Sequence, residues 1–449
     1  MNSALNVAKF GGTSVATYEA IGNCAKIIAN NSNTRIVVVS AAAGVTNHLV
    51  ALANTALTSQ QIEEIVESIK VVELAIVAKL KKPEEVSDKL NALLVELTDL
   101  AKHEEINFRD DLKDALLSMG ERMSSLLFAA VLREFAVSAS NFDVRKVMRT
   151  DSMFSQAAPH IGVIKQLAQS LLIPELYTSV IVTQGFVGAD EQGRTTTLGR
   201  GGSDFTAALL AEAIDAETCE IWTDVIGVYT TDPRITDKAR PLSELSFEEA
   251  AEMATFGAKV LHPATMEPAL RQDIKVFVGS SREPDKGGTW IVRDCKHEPS
   301  YRAITRRKDQ VMVTVKTPKM MYAQGFLQSV FTIIAKYNLS VDLVTTSEIS
   351  VSFTLDNPPN SVSEKMNKET LSELSTICDV TVEQGYDVVT VVGNNMHSST
   401  GVSSKIFEAV TDFNLRMICF GANPHNLSFV VSNTDSEEVV KVLHKALFE

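Results

Sequence analysis

The sequence runs to 449 residues, 45% hydrophobic and 22% charged, which is the composition of an ordinary globular protein but too long for one core at roughly 150 residues per domain. Acidic residues outnumber basic ones, 56 to 42, and the net charge of −14 argues against nucleic acid or an anionic membrane as a partner. Cys24, Cys219, Cys295, Cys378 and Cys419 are scattered with no C-x-x-C pair, so a reducing cytoplasm is expected rather than a disulfide framework or zinc site, and neither a secretory leader nor an apolar run of about 18 residues is read.

In chain order, the apolar run Ala4–Ala8 predicts a buried strand. Lys9-Phe10-Gly11-Gly12-Thr13-Ser14 follows, and then a helix over 15–28. A β-branched run, Arg35–Ser40, ends in the small-residue turn Ala41–Thr46, so the first forty residues predict a βαβ unit and a parallel sheet. Apolar residues three or four apart predict helices over Gln61–Leu80, Pro83–Leu100 and Asp110–Arg133, the last with Gly120 beside Glu121 and Arg122. A short strand is expected at Asn141–Met148 and a buried one at Ser179–Phe186. The stretch Gly193–Asp204, with Gly199-Arg200-Gly201-Gly202-Ser203-Asp204, is a second glycine loop that opens into a helix over Phe205–Ala213. Strands at Glu220–Val225 and Lys275–Gly279 flank the loop Gly227–Arg234, a helix over Phe247–Phe256, and Lys259.

Beyond about residue 300 the chain repeats itself. Gly325, Phe331, Tyr337, Asn338 and Leu339 return as Gly401, Phe407, Phe413, Asn414 and Leu415, an offset of 76 residues (401 minus 325). Each copy predicts strand, helix, strand, turn, strand, led by Val311–Val315 and Val388–Val392, so two small α+β modules are expected, with Asp356–Glu364 as a loop in the first.

Two glycine loops, Lys9, Lys259, Arg200, Arg234 and the carboxylates Glu121, Asp204 and Asp224 suit phosphoryl transfer. Its transition state needs charge neutralisation and alignment more than covalent help. No G-x-x-x-x-G-K-[ST] loop, post-strand G-x-G-x-x-G, H-R-D loop or H-E-x-x-H is present.

Together, Lys9–Val15, Thr195–Asp204, Trp222-Thr223-Asp224, Tyr229–Arg234 and Phe256–Pro263 resemble aspartate kinases of the amino acid kinase family, and the repeat resembles their tandem ACT domains, most like the monofunctional lysine-sensitive type. The resemblance implies an α/β amino acid kinase fold, an open, mostly parallel sheet with helices on both faces, over residues 1–295 with a helical region at about 47–135. Two ferredoxin-like ACT modules would follow at 300–385 and 386–449, the second able to recruit a strand from about 300–310. The implied activity is ATP-dependent phosphorylation of the 4-carboxylate of L-aspartate, opening the route to lysine, threonine, methionine and diaminopimelate, with Mg²⁺ accompanying ATP and no direct protein metal site. By the same likeness Lys9, Asp204 and Lys259 are catalytic. Thr46, Glu121, Arg200, Gly201, Gly202 and Ser203 hold aspartate, and Lys9, Phe10, Gly11, Gly12, Thr223, Asp224, Tyr229, Arg234, Lys259 and Val260 hold ATP. Asp204 orients Lys9 or the substrate amine, or lies near Mg²⁺; the nucleophile, a carboxylate with a pKa of about 4, needs no general base.

The resemblance also implies inhibition by L-lysine bound at Met320, Gly325, Phe326, Leu327, Ser340, Val341, Asp342, Thr346, Ser347 and Glu348, with Ala323 standing where a related enzyme has serine. The second copy carries Asn423-Pro424-His425 in place of Ser347-Glu348, and dimer contact is its expected role. His262 and the Asp232-Pro233 turn are expected to be structural. A cytoplasmic homodimer or higher homo-oligomer is implied. The rivals are a kinase of the same fold acting on glutamate or acetylglutamate, and a non-catalytic amino-acid sensor.

Overall fold

The computed structural model describes residues 4–258, 261, 263–318, 320, 324–355 and 366–449. Two units divide the chain: Met1–Val228 with Pro241–Ala251 and Lys259–Cys295, and Tyr229–Arg240 with Glu252–Ala258 and Lys296–Glu449.

The first unit opens on β1 (Asn6–Phe10), set two residues later than the apolar run suggests because Val7, Ala8 and Phe10 are the side chains that bury. A 3-10 turn, Gly12–Ser14, separates it from α1 (Tyr18–Ala29). That helix starts late because the Thr17 hydroxyl caps it, accepting from the Ala20 amide at 3.2 Å. β2 (Thr34–Val39) is parallel to β1, with Phe10 level with Val39. The helical region comprises α2 (Val45–Asn54), α3 (Ser59–Val77), α4 (Glu84–Ala101), α5 (Asp110–Leu117) and α6 (Met119–Glu134). Thr58 and Gln61 form a reciprocal capping box at the start of α3. The single helix expected over Asp110–Arg133 is two, broken at Ser118, whose hydroxyl donates to the Ala115 carbonyl at 2.7 Å.

Next come β3 (Ala139–Phe142), shorter and earlier than expected because Asp143 caps a 3-10 turn, and then α7 (Ile161–Leu167), α8 (Ile173–Leu176) and β4 (Val180–Gln184). A small hairpin of β5 (Val187–Ala189) and β6 (Thr195–Thr197) leads into α9 (Gly202–Ala213) and β7 (Thr218–Thr223). β8 (Glu244–Ser246), α10 (Phe247–Thr255), α11 (Pro263–Gln272), β9 (Lys275–Ser280) and β10 (Gly288–Val292) follow. The large sheet has the order β3-β4-β2-β1-β7-β9-β10-β8, and every neighbouring pair is parallel except β9–β10. From β1 the strand order runs both ways, and ligands of open α/β sheets bind at the carboxyl ends of strands around such a point.

The core of this unit joins Phe10, Val37 and Val39 of the sheet to Ile21, Leu49, Leu90, Leu97, Leu127 and Phe128 of the helices. Among the described residues, Asp110–Glu134 is the one stretch long and apolar enough to cross a membrane. Its apolar 18-residue window is 83% buried within the protein, and it forms the α5–α6 pair packed in this core.

Glu73 is the discordant member of α3. It is fully buried, both carboxylate oxygens lack a hydrogen-bond partner among the described residues, and burial alone lifts its pKa from 4.5 to about 8. An acid whose pKa is raised on folding destabilises increasingly as pH climbs from its unfolded value to its folded one. Glu73→Gln is therefore expected to raise the thermal midpoint at pH 8 by several degrees and at pH 5 by far less. An equal gain at both pH values, measured by calorimetry, would show that the carboxyl is not held neutral.

The second unit contains β11 (Ala303–Lys316), α12 (Phe326–Lys336), β12 (Val341–Thr346), β13 (Ser350–Leu355), α13 (Lys368–Leu374), β14 (Asp379–Val392), α14 (Val402–Ala409), β15 (Met417–Phe420), β16 (Asn426–Ser432) and α15 (Ser436–Phe448). Its antiparallel sheet has the order β12-β13-β11-β14-β16-β15. Gly325 and Gly401, in register in the sequence repeat, both cap helices with left-handed backbone, φ +81° and +80°. β11 and β14 are 14 residues each and are shared by both halves of the sheet. Ala303–Arg307 pairs with Val388–Val392, and Met312–Lys316 pairs with Asp379–Glu383, the register shifting between Arg307 and Met312. Each half has its own core, one around Val313, Ile334 and Phe353, the other around Val389, Ile406 and Phe429. The loop expected at Asp356–Glu364 lies outside the described residues.

Candidate active site

Lys9 sits at the carboxyl end of β1, largely buried, and its ammonium lies 2.7 Å from a carboxylate oxygen of Asp204 in the first turn of α9. One ion pair thus joins the two glycine loops. The side chains of Lys9 and Asp204 are 11% and 15% exposed, so the pair is mostly desolvated and less screened than a surface bridge. Phe10, expected at the nucleotide, turns its ring into the core beside Phe128 (5.4 Å) and Trp222 (6.4 Å), which leaves only its main chain to face a ligand.

In the first loop it is Gly12 that close approach requires, and neither glycine is there for an unusual backbone angle. Gly11 donates its amide to the Trp222 carbonyl at 3.1 Å, and the Gly12 carbonyl accepts from Ala43 at 3.1 Å. A β-carbon on Gly12 would lie 2.8 Å from the Ala41 carbonyl oxygen, whereas one on Gly11 would stand at ordinary contact distance, 3.7 Å, from the Lys9 ammonium. The amides of Gly12 and Thr13 make no hydrogen bond among the described residues, so they are available to an anion.

The same Ala41 explains the glycine inside the helical stretch. A β-carbon on Gly120 would lie 2.6 Å from that of Ala41, so only glycine lets α6 start against the turn after β2. This seats Glu121, buried at 5% exposure, against the backbone of Ala41. Burial lifts its pKa from 4.5 to about 7, against the lowering pull of the Ala41 amide, its own amide and the Lys9 charge.

In the second loop, Gly199 and Gly201 adopt left-handed φ of +75° and +70° on either side of Arg200, which is exposed. Gly202 is buried against Phe186, and Ser203 packs on Gly185, where a β-carbon would come within 2.5 Å of the serine's own. Thr46 is exposed in the first turn of α2, behind Gly44 at φ +89°. Thr223 and exposed Asp224 close β7, the threonine hydroxyl donating to the aspartate at 3.3 Å. The first unit therefore holds Lys9, Gly11, Gly12, Thr46, Glu121, Arg200, Ser203, Asp204 and Thr223 on strand ends and helix starts. Lys259, Val260 and His262 lie outside the described residues.

Tyr229 and Arg234 belong to the second unit. Arg234 is 82% exposed and forks onto Asp232, whose carboxyl it holds below its usual range; Asp232 also accepts the Arg234 amide at 2.9 Å, which makes this segment a turn. Of the expected effector residues, Gly325 caps α12, with Phe326 and Leu327 in its first turn. Thr346, Ser347 and Glu348 are exposed at the end of β12. Asp342, expected to face an ammonium group, is already paired with Arg307 at 2.9 Å. Met320 and Val341 are half-buried and Ser340 is exposed, while Ala323 lies outside the described residues. In the second copy Asn423 donates to Glu252, and His425 bonds Asn423 and the Gly393 carbonyl.

Sequence reasoning missed Asp114. Fully buried in α5, it accepts from the amides of Ser155 (2.9 Å) and Thr197 (2.7 Å) and from the Thr197 hydroxyl (3.0 Å), which fixes the strand that delivers the second glycine loop. A lone aspartate among helical charges gives no signal of such a role.

Comparison with known proteins agrees with this architecture. The model of the amino acid kinase family matches residues 4–280, and that of an ACT domain matches residues 389–447. The chain is 47% identical over 449 residues to lysine-sensitive aspartokinase 3 of Escherichia coli (strain K12), covering 100% of both chains. It is 34% identical over 465 residues to the chloroplastic aspartokinase 1 of Arabidopsis thaliana, covering 99% of this chain and 80% of that one. It superposes on E. coli aspartokinase III in complex with aspartate and ADP (R-state) with a TM-score of 0.91, covering 99% of this chain and 100% of that one, at 47% identity. For the complex with lysine and aspartate (T-state) the TM-score is 0.85, with 100% of both chains covered at the same identity. The parallel sheet with its two glycine loops, the antiparallel C-terminal sheet and these full-length likenesses place the chain in the amino acid kinase family, as an aspartokinase with a C-terminal ACT region.

Proposed function

We propose that the chain transfers the γ-phosphoryl group of ATP to the 4-carboxylate of L-aspartate, giving 4-phospho-L-aspartate, and that L-lysine bound in the C-terminal region inhibits it. The observation that carries the chemistry is the Lys9–Asp204 pair linking the two glycine loops at the carboxyl edge of the sheet. The acceptor carboxylate is ionised at neutral pH, so the protein has no proton to remove before attack. Asp204 therefore serves as the group that aims Lys9. Lys9 neutralises charge on the moving phosphoryl group, and the amides of Gly12 and Thr13 supply further donors toward it. Glu121 takes the substrate ammonium, and Arg200 forks onto a substrate carboxylate. Thr46 and Ser203, with the backbone of Gly201 and Gly202, complete the aspartate side; Thr223, Asp224, Tyr229, Arg234, Lys259 and Val260 serve ATP.

Among the described residues, no group of three or more His, Cys, Asp or Glu side chains is placed to hold a metal. Mg²⁺ is read as accompanying ATP, since it is commonly held by nucleotide phosphates and one or two carboxylates rather than by a protein cage. Its contribution when bound is to neutralise phosphate charge. The enzyme is read as a cytoplasmic homo-oligomer of at least two chains.

ATP turnover trapped with hydroxylamine tests the substrate and its regulation together. Acyl hydroxamate is expected with aspartate and not with glutamate or without substrate, and millimolar lysine is expected to suppress it. Equal product from glutamate would overturn the substrate assignment. Suppression by threonine with indifference to lysine would overturn the effector.

A further inference from the structure

Ser281 lies just beyond β9, outside the motifs and outside every residue set given to substrate or nucleotide. Its amide donates to the Thr223 carbonyl at 2.9 Å, and its hydroxyl donates to the same carbonyl at 3.1 Å. Its oxygen also lies 2.6 Å from the hydroxyl oxygen of Ser14. A hydroxyl has one hydrogen, and a carbonyl can only accept. Since the Ser281 hydrogen is directed at Thr223, the proton in the serine–serine contact belongs to Ser14. The direction is therefore fixed: Ser14 donates to Ser281, and Ser281 donates to Thr223. Both serines are 3% exposed, so water does not compete for these bonds.

This relay ends where the first glycine loop ends. Gly11, at the loop's start, is bonded directly to Trp222 of β7, and Ser14, at its close, reaches Thr223 of the same strand through Ser281. Gly12 and Thr13, whose amides are unspent, lie between the two ties. We propose that Ser281 is a positioning residue for phosphoryl transfer, acting through Ser14 to hold the Gly11–Ser14 loop at the end of β7, where Thr223 meets the nucleotide. The proposal rests on the kinase reading above. It also means that the Ser14 hydrogen is committed within the protein, and phosphate is met by backbone amides and Lys9.

Steady-state kinetics of the full-length enzyme test it, with each substrate varied at saturation of the other, on Ser281→Ala, Ser14→Ala and the double variant. Each single change is expected to raise KM for ATP about five-fold, the effect of one hydrogen bond. KM for aspartate should move by less than about two-fold, because the aspartate side of the site is not tied by this relay. The double variant should be no worse than either single one, because both break the same relay; independent roles would multiply to roughly 25-fold. ADP affinity measured by calorimetry should fall in parallel with the rise in KM for ATP. A matched rise in both KM values would show general loosening and overturn the proposal, as would an unchanged KM for ATP or multiplying effects. Should Ser281→Ala not fold, Ser14→Ala removes the upstream donor alone and decides the same question. If the wild-type enzyme shows no aspartate-dependent turnover, the kinase reading falls instead, and ADP calorimetry alone judges the relay.

Discussion

Lys9→Met is expected to lower kcat by about 10²–10³-fold, the cost of removing one preorganised charge from a transition state. Methionine matches the unbranched apolar stem of lysine as far as the ε position, so the buried end of β1 retains its packing. What disappears is the ammonium paired with Asp204 at 2.7 Å. That charge acts on a phosphoryl group in motion, so kcat should fall further than KM for ATP rises. Arginine should not restore the rate, because its planar fork is larger than the ammonium it replaces at a site that is 11% exposed. Stopped assays at saturating substrates, with a thermal midpoint for each variant, check this. A kcat within ten-fold of wild type would remove Lys9 from catalysis. Asp204→Asn supplies the companion measurement: if it abolished activity while the wild-type pH–rate profile showed a titrating base, the orienting role of Asp204 would be wrong.

Glu121→Gln should raise KM for aspartate by about 10²-fold while leaving KM for ATP nearly unchanged, since a desolvated ammonium would lose its carboxylate. The stability of the free enzyme should move the opposite way. The Glu121 pKa rises from 4.5 in the unfolded chain to about 7 in the folded one, so between those values the native state holds the extra proton and stability declines as pH rises. The glutamine variant is accordingly expected to melt above wild type at pH 8 and close to it at pH 4.5. In the wild type, protonation below pH 7 neutralises the group awaiting the ammonium. KM for aspartate should then climb by up to about ten-fold per unit as pH falls further. A variant that loses both stability and activity at pH 8 would mark Glu121 as structural.

The difference between what the sequence disclosed and what it withheld follows from chain distance. Lys9-Phe10-Gly11-Gly12 and Gly199–Asp204 are local patterns, each declaring a strand end, a turn and a helix start within a dozen residues. The repeat of Gly325 at Gly401 was legible for the same reason, because each glycine caps a helix with left-handed backbone. Glu121 was marked by the glycine beside it and by the family likeness, and the cause of that glycine, contact with Ala41, lies on another element. Ser281 and Asp114 left no local trace. Each works by reaching a partner far along the chain, Ser14 in one case and Thr197 in the other, and no periodicity or turn chemistry encodes such a meeting. Element ends drifted where a side-chain cap decided them, as Thr17 does for α1 and Ser118 does between α5 and α6.

The long strands β11 and β14 impose an order of events on the growing chain. Residues Met312–Lys316 can pair as soon as β13 and the first half of β14 have emerged, but Ala303–Arg307, made earlier, must wait for Val388–Val392. Until then an apolar strand end, with Ala303 and Ile304 buried in the finished protein, stands without its sheet partner. The older segment is therefore secured by the younger one, and a ribosome pausing between the two would expose an edge open to pairing with a neighbouring chain.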